Sequence, residues 1–64
     1  MWTVVYVAKN REVSEHLVKN LDANGLLTKT NVLGSDDNKN TSYEILVPES
    51  EVEKAHTLII DLDF

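Results

Sequence analysis

The run Trp2-Thr3-Val4-Val5-Tyr6-Val7-Ala8 restricts this chain more than any other segment. Every residue in it except the last is β-branched or aromatic, which is the chemistry of a strand. It is apolar at both parities, with Trp2, Val4 and Tyr6 on one side and Val5 and Val7 on the other. A strand of that kind calls for cover on both faces. The chain has 64 residues with which to supply it, enough for one domain spanning 1–64. A domain this small buries only roughly 60% of the surface its unfolded chain exposes. Its net stability is then a few kcal/mol unless something staples it. There is no cysteine, so no disulfide does so. Self-association is the staple that remains.

The rest of the chain alternates between the two periodicities. Asn10 is an N-cap, and behind it Val13, Leu17, Val18 and Leu21 recur at helical spacing. Asn24-Gly25 stops that helix, because glycine readily takes the left-handed conformation that closes a helix. The spacing predicts a helix over 11–23. A second strand of moderate quality follows at 26–33. Residues 34–40, Gly-Ser-Asp-Asp-Asn-Lys-Asn, are turn formers and charge and read as an exposed hairpin loop. A third strand spans 41–47, with Tyr43, Ile45 and Val47 facing one way and Ser42, Glu44 and Leu46 the other. Pro48, which has no N–H for a ladder, ends it.

Ser50 and Glu53 have the spacing of a capping box, and Pro48 at the first helical position is an alternative start. Val52, Ala55 and Ile59 form the buried stripe of the second helix. Residues 60–64 alternate apolar and acidic, as either a frayed helix end or a short strand.

The element order β-α-β-β-α is that of an α+β protein. Strand, helix, strand reads as a split βαβ unit, and the hairpin places the third strand beside the second. The economical sheet inserts strand three between strands one and two, antiparallel to both, in the order 1-3-2. The result is a two-layer sandwich, a ferredoxin-like sheet lacking its fourth strand, with both helices on one face. That arrangement leaves the second sheet face and the far edge of strand one uncovered. An edge rich in Val, Tyr and Trp invites association. The expectation is a homodimer through the open face or through this edge.

The opening Met1-Trp2-Thr3-Val4-Val5-Tyr6-Val7-Ala8-Lys9-Asn10, the Asn24-Gly25 break and the segment Tyr43-Glu44-Ile45-Leu46-Val47-Pro48-Glu49 resemble the putative signal transducing proteins, the DUF2007 family of short bacterial proteins. The likeness covers most of the chain in order and spacing. Its motifs are structural rather than catalytic. It implies a small β-α-β-β-α module with an interaction or regulatory role and no established ligand.

Composition narrows the function classes. The net charge is −5, with Lys9, Arg11, Lys19, Lys29, Lys39 and Lys54 scattered along the chain. That opposes binding to nucleic-acid phosphates and to anionic membranes. No apolar run approaches the roughly 20 residues of a membrane span. The first residues carry neither a basic n-region nor a small-residue cleavage site, so a reducing, cytoplasmic setting is expected. Catalytic constellations are missing too. The two histidines, His16 and His56, each have a glutamate nearby, Glu12 at i−4 and Glu53 at i−3. Half of a di-iron motif is the most these pairs offer, and such sites need four long helices. Both histidines read as solvent-facing or helix-packing, with His56 partly packed.

Asp36, Asn38 and Asn40 fit positions 1, 3 and 5 of a calcium loop. Thr41 and Val47 stand where it needs Gly and Glu. Ser14, Ser35, Ser42 and Ser50 have no neighbouring His and acid. Two glycines cannot build a phosphate cradle. Asn40-Thr41-Ser42 is a formal glycosylation sequon, which without secretion carries no weight. Glu49, Glu51 and Glu53 suit the positive end of a helix dipole. Short proteins of this look are sometimes credited with glutamate decarboxylation. That chemistry needs an enclosed pyridoxal phosphate pocket with a Schiff-base lysine, beyond the reach of 64 residues. No metal or cofactor is expected.

Trp2, Val4, Tyr6 and Tyr43 are the candidate interface or ligand residues. Aromatic side chains join apolar area to a polar handle and are enriched at interfaces, though they equally well fill a small core. If Val5 and Val7 turn toward the helices, Trp2, Val4 and Tyr6 lie on the open face. The expected function is a non-enzymatic interaction or regulatory module acting as a homodimer. The alternative is a sensor that binds a small metabolite at the sheet face or dimer interface.

Overall fold

A computed structural model describes residues 1–34 and 41–62. The elements are β1 (Trp2–Ala8), α1 (Arg11–Ala23), β2 (Lys29–Leu33), β3 (Ser42–Pro48), a 3₁₀ turn (Glu49–Glu51) and α2 (Val52–Asp61). The three strands form one antiparallel sheet in the order β1-β3-β2. Both helices pack on β1 and β3. The α+β architecture and strand order match the sequence reading.

Helix α1 is written in its termini. The side-chain oxygen of Asn10 accepts the Val13 N–H at 2.8 Å, satisfying one of the free donors of the first turn. At the other end Gly25 has φ +84°. Its N–H donates to the Asp22 carbonyl at 3.0 Å, and the Leu26 N–H donates to the Leu21 carbonyl at 3.1 Å. These two bonds are a Schellman closure, whose usual companion is an apolar contact between the residues flanking the bond. Here those residues are Leu21 and Leu26, both buried and both part of the core. Leu26 is thereby taken out of β2, which starts at Lys29 rather than at 26.

The core lies between the sheet and the helices. Leu17 and Leu21 from α1 and Ile45 and Val47 from β3 are wholly buried, and Leu26, Ala55 and Ile59 complete the cluster. Ile45 and Val47 share a parity with Tyr43, as the alternation of β3 predicts.

Strand β1 departs from simple alternation. Val4 pairs with Leu46 and Tyr6 with Ile45, so Val5 is the extra residue of a β-bulge. Cross-strand partners share a face. Trp2, Val4 and Val7 therefore stand on the open side with Pro48, Leu46 and Glu44, while Tyr6 and Ala8 stand on the helix side with Ile45 and Tyr43. Val5 and Tyr6 both pack against the core. Plain alternation would set Tyr6 with Trp2 and Val4, and Val7 with Val5; the inserted residue instead sends Tyr6 to the helix side and Val7 to the open side.

The start of α2 also differs. No side chain caps either the 3₁₀ turn or α2, so the capping box of Ser50 and Glu53 does not form. Pro48 is the last residue of β3 and precedes the 3₁₀ turn. The Glu51 carboxylate instead accepts the Leu27 N–H at 3.1 Å, tying the helix start to the segment after α1. Residues 60 and 61 continue the helix, and Leu62 caps it. The hairpin tip and its calcium-like Asp36, Asn38 and Asn40 lie outside the described residues, as do residues 63 and 64.

Candidate functional site

Two surfaces stand out, one on each side of the sheet. The first is the open face. Read across the strands, its rows are Trp2 with Pro48, then Val4, Leu46 and Lys29, then Val7, Glu44 and Asn31, then Ser42 with Leu33. Trp2, Val4, Val7 and Leu33 are exposed, at 42%, 40%, 53% and 41%. Scattered exposed apolar residues are ordinary, but residues gathered on one uncovered sheet face mark an interaction surface.

Three polar groups on this face, Lys29, Asn31 and Glu44, have partners within the chain. The Lys29 ammonium stands 5.6 Å from the centroid of the Trp2 ring. That distance is within cation–π range. The Asn31 amide donates to the Glu44 carboxylate at 3.1 Å. With strands about 4.8 Å apart and residues about 3.3 Å along each, the face covers roughly 300 Å² in projection.

The second surface lies on the helix side. The helices sit over β1 and β3, leaving the inner side of β2 bare. Thr30 and Val32, which pair with Ile45 and Tyr43, are exposed despite pointing the same way as the core. Between them and α1 runs a groove of about 440 Å³, with Val18 and Tyr43 in its lining. Its charged rim comes from α1: Arg11, Glu15, Lys19 and Asp22. Arg11 and Glu15 form an exposed pair at 3.7 Å, and Asp22 accepts the Thr28 hydroxyl at 2.8 Å. An adjoining hollow takes in Asn10, Glu12 and Thr41 and shares Arg11 and Tyr43 with the groove.

The candidate residues thus divide. Trp2 and Val4 are on the open face as anticipated. Tyr6 packs on the core, and Tyr43 lines the groove. Val7, Leu33 and Lys29 belong to the open face and were not singled out. Val7 was hidden by the bulge, which alternation cannot reveal. His16 and His56 are exposed on their helices, so His56 is not packed as expected. Among the described residues, no three His, Asp or Glu side chains gather as a metal cluster. None of the described helices is long and apolar enough to cross a membrane.

Comparison with protein-family models, with curated proteins and with solved structures gives no match to this chain.

Proposed function

We propose that the protein is a non-enzymatic interaction module of a reducing, cytoplasmic setting that works as a homodimer, the open sheet face of one copy packed on that of another. The observation that carries this reading is the set of exposed apolar side chains Trp2, Val4, Val7 and Leu33 on a face that none of the described elements covers. The face also complements itself. Lys29 and Glu44 lie in adjacent rows, and a two-fold contact presents residue i to j and j to i. The lysine of one copy then meets the glutamate of the other. The likeness to the putative signal transducing proteins supports a regulatory use of such a module.

Sedimentation of the full chain at tens of micromolar tests this. Self-association that Val7→Glu weakens is the expected result, since the new carboxylate would be buried without a partner. A clean monomer overturns it.

The groove beside α1 favours a second reading, a sensor for a small charged metabolite. It joins apolar floor to charges of both signs, as ligand sites do. A saturable rise in melting temperature with one such metabolite, lost in Lys19→Ala, would support this reading. No response from any charged metabolite would remove it.

A further inference from the structure

Among the described residues no strand pairs with the outer edge of β2, and all five of its residues, Lys29–Leu33, are exposed. The strand contains no proline and pairs with β3 without a register shift. Regular edges of this kind are templates for another strand. β1 is the other edge, and its bulge at Val5 is one of the devices by which proteins blunt an edge.

The helix beside β2 shows what fits there. Arg11, Glu15, Lys19 and Asp22 all line the groove, so they form one stripe on the side of α1 turned to β2. Their signs run plus, minus, plus, minus. Reversed end for end, the same stripe reads minus, plus, minus, plus. A second α1 lying antiparallel therefore sets Arg11 against Asp22 and Glu15 against Lys19, twice over. Few other occupants would be matched at all four positions.

We propose that β2 is a docking edge for a second copy of this chain: the two β2 strands pair antiparallel about Asn31, and the two α1 helices lie side by side with their charged stripes matched. The two-fold axis stands perpendicular to the sheet, which keeps all four helices on one side of a continuous six-stranded sheet. α1 packs on β3 and β1. With each α1 taken over β3, the strand it contacts most, the two helix axes are about three strand spacings apart, roughly 14 Å. Helices with side chains are about 10–12 Å across, so long charged side chains span the remaining gap. The two grooves merge into one, floored by Thr30 and Val32 of both copies. The joined sheet also doubles the open face, which alone is smaller than the roughly 800 Å² per partner of a standard interface.

This goes beyond the face-to-face dimer and rests on different residues. The face contact has its two-fold in the plane of the sheet. Perpendicular two-folds that meet at a point close at four copies.

Charge reversal and its repair test the edge contact. Glu15→Lys turns two attractive pairs into two repulsive ones and should weaken edge association about tenfold to thirtyfold. It does so while lowering the net negative charge, which by itself would favour association. Adding Lys19→Glu restores both the matched stripe and the net charge of −5. The double variant should therefore recover association.

Sedimentation of the full chain, with folding checked by circular dichroism, separates the two contacts. Wild type is expected as a tetramer, Val7→Glu as an edge dimer, and Val7→Glu with Glu15→Lys as a monomer. A Val7→Glu monomer from a dimeric wild type overturns the edge contact and leaves the face contact standing. A Glu15→Lys effect with none from Val7→Glu overturns the face contact instead. A charge reversal that Lys19→Glu does not rescue, or that changes nothing, overturns the matching of the stripes. A monomeric wild type overturns both contacts.

Discussion

The two edges of the sheet are built on opposite principles. β1 ends in the wholly buried Ala8, bulges at Val5 and packs Val5 and Tyr6 against the core. β2 is regular, and each of its residues is exposed. The difference follows from where two helices fall on three strands. Both cover β1 and β3, and neither covers β2. Core packing is therefore concentrated at β1 and β3, and the regular, exposed edge lies at β2. A small domain cannot cover everything, and this one leaves bare the strand with the least apolar material.

If that division is right, core and edge substitutions must differ sharply. Leu21 is wholly buried and also serves as the apolar partner in the helix closure with Leu26. Leu21→Ala should cost about 2–5 kcal/mol, as deletions of buried leucine atoms do. For a domain whose total stability is of the same order, most of the chain should then be unfolded. Val32→Ala, at 60% exposure on β2, should change monomer stability by less than about 0.5 kcal/mol. Urea titration at one low protomer concentration compares the two, since association would otherwise raise apparent stability. Similar losses at both positions would break the division.

The parts of the fold legible in the sequence are those fixed by local chemistry. The bounds of α1 follow from Asn10 and from Asn24-Gly25, because a cap and a left-handed glycine act within a few residues of themselves. The strand order follows from element order and connection length. The bulge at Val5 has no local signal, since it adds one residue to an otherwise regular β-rich run, and with it went the outward placement of Tyr6 and the inward placement of Val7. The start of β2 was set too early because Leu26 looks like a strand residue and is used by the helix closure. Ser50 and Glu53 have capping-box spacing, yet Glu51 is engaged by the Leu27 N–H across the fold. The groove beside α1 is visible in no segment alone. It exists because of where the helices sit.

The helix closure offers an intermediate test on the stable side. A Cβ at residue 25 would meet no atom within 4 Å, so steric conflict with neighbours plays no part. The φ of +84° remains, and a side chain there is strained by roughly 1–2 kcal/mol. Gly25→Ala should lower stability by about that amount. The Asn10 cap tests the other end of the same helix, and Asn10→Ala should cost about 1 kcal/mol. Both losses should appear in urea midpoints with unchanged slopes. A neutral Gly25→Ala would mean that the Leu21–Leu26 contact, not the closure, holds this end of α1.

The smallest effect is expected where the two edges touch. Lys29 of β2 reaches over β3 to the Trp2 ring of β1, and Trp2 is the only tryptophan. A cation over a partly exposed ring is worth about 0.5–1 kcal/mol. Lys29→Ala should therefore cost no more than that, yet it should shift Trp2 emission to longer wavelength as water replaces the lysine stem. In a face-to-face dimer the same substitution removes the partner of Glu44 twice, so association should suffer more than folding. Measuring emission and urea stability below the association threshold, then sedimentation above it, separates the two effects. A loss as large as that of Leu21→Ala would show that β2 is tied into the fold through Trp2, and the contrast between a load-free edge and a packed one would fail.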